Sequence, residues 1–175
     1  MGEICKRSFL LPILCLVLAD QSIKRIISFF FMKCNFTLIE NLIRFNPVVN
    51  TKSTWIGNHI DIFIFTDWGI TVLLNIVVIF IFISGYAFYR QKSKDTGIFV
   101  KIIVICGMAG SICGLIDRAI WGGSLDFIQI PGLFTFDLKD CYTSVACMIF
   151  VVLGLMHSKE ISIKEYLHFL RGRLT

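Results

Sequence analysis

Charge and proline are both scarce in this chain. Only 17% of its 175 residues are charged, against about 25% in a soluble domain, and apolar residues make up 56%. With a mean hydropathy of +0.79, this composition excludes an ordinary water-soluble domain and points to lipid. Three prolines, no internal repeat and no low-complexity run argue against a disordered linker and leave a single domain. The seven cysteines form no C-x-x-C pair, and five of them (Cys15, Cys106, Cys113, Cys141, Cys147) lie in apolar segments. A thiol there is usually a small packing residue, so neither a disulfide framework nor a metal cluster is expected. The histidines, His59, His157 and His168, have no ligand motif around them, so no metal or cofactor is expected. The net charge of +5 does not point to nucleic acid, because Lys and Arg sit in short clusters beside apolar runs, as topology signals do.

Long hydrophobic runs are what the chain has. A hydrocarbon core about 30 Å thick needs roughly 20 apolar residues as helix. Trp68–Ala87 meets that with Asn75 as its one strongly polar member, and Gly97–Ile116 meets it with Lys101 free to snorkel at one end. Cys141–Met156 spans only about 24 Å, so its flank is drawn toward the bilayer and Asp140 is expected at the headgroup level. The first span is Phe9–Phe31, unbroken at first and then charged at Asp20, Lys24 and Arg25. Asp20 and Lys24 are four apart and share a helix face, where they can pair. Lys6–Arg7, the apolar run after them and Val17-x-Ala19 imitate a cleavable signal peptide, but apolar character resumes directly after Arg25.

The expected fold is therefore an all-α membrane protein, a single integral domain over 1–175. Its spans are 9–31, 68–87, 97–116 and 141–156, with extracytoplasmic loops 32–67 and 117–140 and a cytoplasmic tail 157–175. Lys and Arg set the sides: Lys6, Arg7, Arg90, Lys92, Lys94, Lys101, Lys159, Lys164, Arg171 and Arg173 fall on one, fewer on the other. The excess puts both termini in the cytoplasm. Loop 32–67 is too long for a simple connection, and its short apolar stretches (FTLIENLIRF, IDIFIF) suit a small strand platform and an amphipathic piece on the bilayer. Asn35-Phe-Thr is a glycosylation sequon too short to carry weight. The tail KEISIKEYLHFLRGRL is basic and amphipathic and is expected to lie on anionic lipid.

Charges at a membrane boundary are costly, so they are paired or functional. They collect at the outer ends of the last two spans. Asp117 and Arg118 close the third, Asp126 follows a Gly122–Gly123 turn, and FDLKD opens the fourth with Asp137 and Asp140 three apart. Asp137 is expected as a helix cap, and Asp117 as a brace paired with Arg118 or a neighbouring span. Asp126 and Asp140 flank Gly122–Gly123 and Pro131–Gly132, so the chain can fold back and bring them together. Two close carboxylates cannot both ionise easily and share a proton. The ionised one takes a proton from water, and the protonated one gives a proton to a carbonyl oxygen or leaving amine. That is aspartyl peptide hydrolysis.

Four blocks in order resemble lipoprotein signal peptidase, the type II signal peptidase of bacteria. Asp20-Gln21-x-x-Lys24 resembles its D-Q-x-T-K. Asn50-Thr51, after NPVV, resembles its Asn-x-Gly stretch. AGSICGLIDR with GGSLDF resembles A-G-x-x-G-N-x-I-D-R and V-V-D-F, and FDLKD resembles F-N-x-A-D. The resemblance implies four transmembrane helices, an extracytoplasmic β-cradle and a periplasmic amphipathic helix in the bacterial inner membrane. It implies cleavage of diacylglyceryl-modified prolipoproteins on the amino side of the lipidated Cys. It places the catalytic aspartates on Asp126 and Asp140. Supporting or substrate-binding positions fall on Asp20, Lys24, Asn50, Asp117, Arg118 and Asp137. The expected partners are those precursors and membrane lipid, with the enzyme a monomer. Departures are Gly114 for Asn, preceded by Cys113 for Gly; Asp137 for Asn; Lys139 for Ala; Lys52 for Gly; and Ile23 for Thr or Ser. A third acid beside the pair should disfavour its ionisation unless Lys139 or Arg118 offsets it. Two rivals stand beside this reading: a small transporter with Asp20, Lys24 and Asp117 along a polar path, and a paralogue that binds lipidated signal peptides without cutting them.

Overall fold

The structure, a computed structural model, describes residues 2–51, 68–92, 97–156 and 163–174. The expected amphipathic piece in the second half of loop 32–67, with Lys52, Trp55 and His59, lies outside the described residues, as does His157.

Helix α1 (Gly2–Ile26) runs on into a π-helical turn, Ile27–Phe31. A hairpin follows, β1 (Phe36–Ile39) and β2 (Ile43–Asn50), turned at Asn41, whose φ is 59°. Then come α2 (Trp68–Lys92) and α3 (Ile98–Ile116), the latter ending in a second π-helical turn, Asp117–Trp121. Strands β3 (Ser124–Ile130) and β4 (Phe134–Phe136) lead into α4 (Leu138–Met156), and α5 (Ile163–Leu174) closes the described chain.

The four strands make one antiparallel sheet in the order β1-β2-β3-β4. Its tight turn obeys simple rules. Pro131 and Gly132 occupy the centre of a type II turn, Gly132 at φ 78° and Leu133 N donating to Ile130 O at 3.0 Å. The β2–β3 register slips between Phe45 and Val48, around Pro47, which has no N–H to give the ladder. The sheet rests on the end of α1 through Ile27, Leu125 and Phe127, flanked by Phe45, Ile128 and Leu138.

The helices pack through small residues. Ile13 and Val17 of α1 meet Ala109 and Cys113 of α3. Where α3 meets α4, a Cβ on Gly110 would run into the hydroxyl of Thr143 and come within 3.3 Å of the Lys139 carbonyl. Glycine at 110 therefore sets how near the first turn of α4 can lie to α3. Helix α5 packs back on α2: Tyr166 and Phe169 set their rings on Phe88, and the Tyr166 and Ser84 hydroxyls are 2.7 Å apart.

The outside is apolar. Leu73, Ile76, Phe80 and Ile83 on α2, and Met148, Phe150, Val151 and Leu155 on α4, are all exposed. Among the described residues, three segments are long and apolar enough to cross a membrane: Val72–Lys92, Ile98–Trp121 and Leu138–Met156. A soluble monomer rarely leaves such continuous grease on its surface; this is a mostly helical membrane protein carrying a small sheet.

Helix α4 begins at Leu138, ahead of the apolar span, with Asp137 capping it, and this added turn makes up the span's shortfall in length. The segment 117–140, expected as a loop with turns, holds two strands that complete the sheet.

Candidate active site

Every expected site residue lies where the helix ends meet the sheet, with Asn50 and Asp126 on its strands. Gly122 in the left-handed region (φ 66°) turns the chain out of α3. Gly123 passes so close to β2 that a Cβ there would lie 2.8 Å from the Asn50 carbonyl oxygen. That approach brings Asp126 opposite Val48 on β2 and the Asn50 amide to 3.1 Å from Asp126 Oδ2.

Lys24 is the anchor. Only 1% exposed, its ammonium has three N–H groups and meets three carboxylates: Asp20 at 2.9 Å, Asp117 at 2.6 Å and Asp137 at 2.7 Å. The expected i, i+4 pair is thus one arm of a node joining α1, α3 and α4. Asp117 braces the neighbouring span through Lys24. Gln21 adds a bond to Asp117 at 3.0 Å and receives one from the Trp121 indole at 3.3 Å. Arg118 donates to the Thr51 carbonyl at 3.1 Å, tying the end of α3 to the end of β2.

Asp137 does cap α4. Asp140 N donates to Asp137 Oδ1 at 3.1 Å, and Asp137 N to Asp140 Oδ2 at 3.3 Å, a reciprocal capping box. It also does more than cap, because both Lys24 and Lys139 hold its other oxygen, Lys139 at 2.5 Å. Burial alone would raise the Asp137 carboxyl; the two ammonium groups outweigh it and hold it below the usual range.

Asp126 is buried beside them. Burial lifts its carboxyl above the ordinary range and the Asp137 charge adds to that, while Lys139, Ser124 and Asn50 only partly offset it. Carboxylate oxygens of Asp126, Asp137 and Asp140 lie within 4.8 Å of one another. The Asp140 side chain is 46% exposed and so is the wet edge of an otherwise dry cluster. Three close acids are also a candidate cation site. The ammonium of Lys139 already supplies a cation there, 3.9 Å from Asp126 and 3.7 Å from Asp140.

Ser124 and Lys139 are the residues sequence reasoning undervalued. The Ser124 hydroxyl stands 2.8 Å from Asp126, 3.0 Å from Asp137 and 3.2 Å from Asp117, and accepts from Lys139 at 2.6 Å. Its single proton serves one carboxylate at a time. A serine two before an Asp carries no motif of its own, so no sequence signal marked it.

The family profile described as Signal peptidase (SPase) II matches residues 12–156. The chain belongs to the signal peptidase II family. Its fold is similar to that of two solved bacterial membrane enzymes, both determined by the in meso method. One, at 2.3 Å resolution, has a TM-score of 0.71 and 16% identity over 89% of this chain and 92% of the other. The second, at 1.9 Å resolution, has a TM-score of 0.62 and 18% identity over 88% and 94%. No curated protein sequence matches the chain.

For a signal peptidase II, the glycine at 114 stands where an asparagine was expected. A Cβ at Gly114 would lie 3.0 Å from the Asn75 side-chain oxygen. The one strongly polar residue expected inside α2 therefore fills the space that a side chain at 114 would take.

Proposed function

We propose that this peptidase-family member is an intramembrane aspartyl endopeptidase. It removes the signal peptide from diacylglyceryl-modified prolipoproteins on the amino side of the lipidated Cys. The observation that carries the reading is the juxtaposition of Asp126, buried on β3, with half-exposed Asp140 on the first turn of α4. A water held between them is deprotonated by the ionised carboxylate and attacks the scissile carbonyl, while the other carboxyl gives its proton to the carbonyl oxygen. Collapse of the tetrahedral intermediate returns a proton to the leaving amine. The two acids titrate as one unit. Asp20, Lys24, Asn50, Asp117, Arg118 and Asp137 hold the pair in place, and apolar flanks of α2 and α4 suit a signal helix entering from lipid.

In this reading α1 is a fourth span despite Asp20 and Lys24, because both are buried against α3 and α4 rather than facing lipid. Both termini lie in the cytoplasm of a bacterial inner membrane, and the pair works at the outer face.

Asp126→Asn and Asp140→Asn are the test. Each should abolish cleavage of a lipidated precursor while the protein still inserts; cleavage at the parental rate by either variant refutes the reading. The capping box gives Asp140 a structural task too, which favours a second reading, a paralogue that binds lipidated signal peptides without cutting them. Precursor bound equally by the parent and both variants, and cut by none, would establish it.

A further inference from the structure

The pair sits in a cluster with more acids than cations. Asp20 comes from α1, Asp117 from the turn after α3, Asp126 from β3, and Asp137 and Asp140 from the start of α4. Against these five stand three cations, Lys24 of α1, Arg118 of the turn after α3 and Lys139 of α4; Asn50 of β2 and Ser124 of β3 add uncharged hydrogen bonds. Lys24 has committed its three donors to Asp20, Asp117 and Asp137. Lys139 is different: its ammonium lies 2.5 Å from Asp137 and 2.6 Å from Ser124, with Asp126 at 3.9 Å and Asp140 at 3.7 Å. Among the described residues it is the lysine within 4 Å of both members of the pair.

We infer that Lys139 is a positioning residue that sets the pH range of the reaction: held by Asp137 and Ser124 between Asp126 and Asp140, its ammonium favours the ionised form of the pair. The inference rests on the peptidase reading. The sign follows from Coulomb's law. A cation within 4 Å stabilises carboxylate over carboxylic acid, so its removal leaves the pair protonated to higher pH. Asp137 acts in the opposite sense, as an extra negative charge. Where the resembling family has Asn and Ala, this chain has Asp137 and Lys139, so the two replacements bring one negative and one positive charge and cancel locally. Neither charge should be tolerated as well alone as with the other.

The experiment compares kcat/KM against pH for the parent, Lys139→Met, Lys139→Arg and the double variant Asp137→Asn with Lys139→Met. Lys139→Met should move the whole profile up by about one pH unit or more. Lys139→Arg, which keeps the charge, should stay near the parent, and the double variant should return most of the way. A Lys139→Met profile that stays put or moves down overturns the inference, as does an arginine variant that moves as far as the methionine one. A second measurement needs no turnover: the pH midpoint at which a carbodiimide labels Asp140 in the full-length protein, read by mass spectrometry. It should rise in Lys139→Met and not in Lys139→Arg; an unmoved midpoint overturns the inference. Failure of the peptidase reading looks different. There, Asp126→Asn and Asp140→Asn would cleave like the parent, whatever the labelling midpoint does.

Discussion

Lys24 shows what one buried side chain can hold together. Removing one partner of a buried ion pair leaves the others uncompensated and costs about 3–5 kcal/mol. Lys24→Met should therefore strip three carboxylates of their shared cation and lower the thermal midpoint in detergent sharply. Asp137 adds a pH dependence. Its carboxyl titrates below its unfolded value, so its stabilisation is complete above about pH 4 and is lost as pH falls through the lower folded value. Asp126 is raised, so it works the other way, favouring the folded state more as it becomes protonated. In chemical denaturation from pH 6 down to pH 2, Asp137→Asn should lose less stability than the parent, or gain more, because it lacks the Asp137 contribution; an identical pH slope would count against this assignment. Part of this was legible in the chain. The spacing of Asp20 and Lys24 gave their pairing, because a helix puts residues four apart on one face. The other two arms of Lys24 were not legible, since Asp117 and Asp137 reach it only after the spans have packed. Ser124 was invisible because hydroxyls of that kind occur everywhere, and only its three carboxylate neighbours distinguish it.

Helices and strands are positioned here by glycines at contact points. Gly110 lets α4 approach α3 near the turn that carries Lys139 and Asp140, so Gly110→Val should push that turn away and lower both activity and thermal stability. Gly114→Asn alone should crowd Asn75 and destabilise the α2–α3 contact, whereas the pair Gly114→Asn with Asn75→Ala should regain much of the lost stability. Thermal unfolding of Gly114→Asn, of Asn75→Ala and of the double variant distinguishes this coupling from simple additivity. Turn chemistry made the β3–β4 connection readable, since Pro-Gly at the centre of a type II turn leaves little choice. Strand β3 was harder. SLDFIQI mixes alternation with an apolar run, and its pairing depends on β2, far away in sequence. The start of α4 was readable, since FDLKD sets two acids three apart at a helix start, but only the structure shows that Asp137 and Asp140 cap each other reciprocally.

At the scale of the whole molecule, two regions contrast: an apolar exterior on α2 and α4, and a charged cluster buried except at its Asp140 edge. Composition alone announced the first, and the ordered blocks from Asp20 to Asp140 announced the second. Fold similarity at 16% identity with a TM-score of 0.71 fits that division, because lipid accepts many apolar residues in place of one another. Cysteine-accessibility labelling in intact cells should place residues 117–140 outside and α5 inside; the reverse would overturn the proposed orientation. The three-armed Lys24 node also bears on biogenesis. Helix α1 carries an acid and a base, and the remaining counter-ions of the base arrive with the end of α3 and the start of α4, so the charged end of α1 stays uncompensated until both have been made. Gln21→Cys should be labelled by a water-soluble maleimide in a chain stopped after α2 and shielded from it in one stopped after α4.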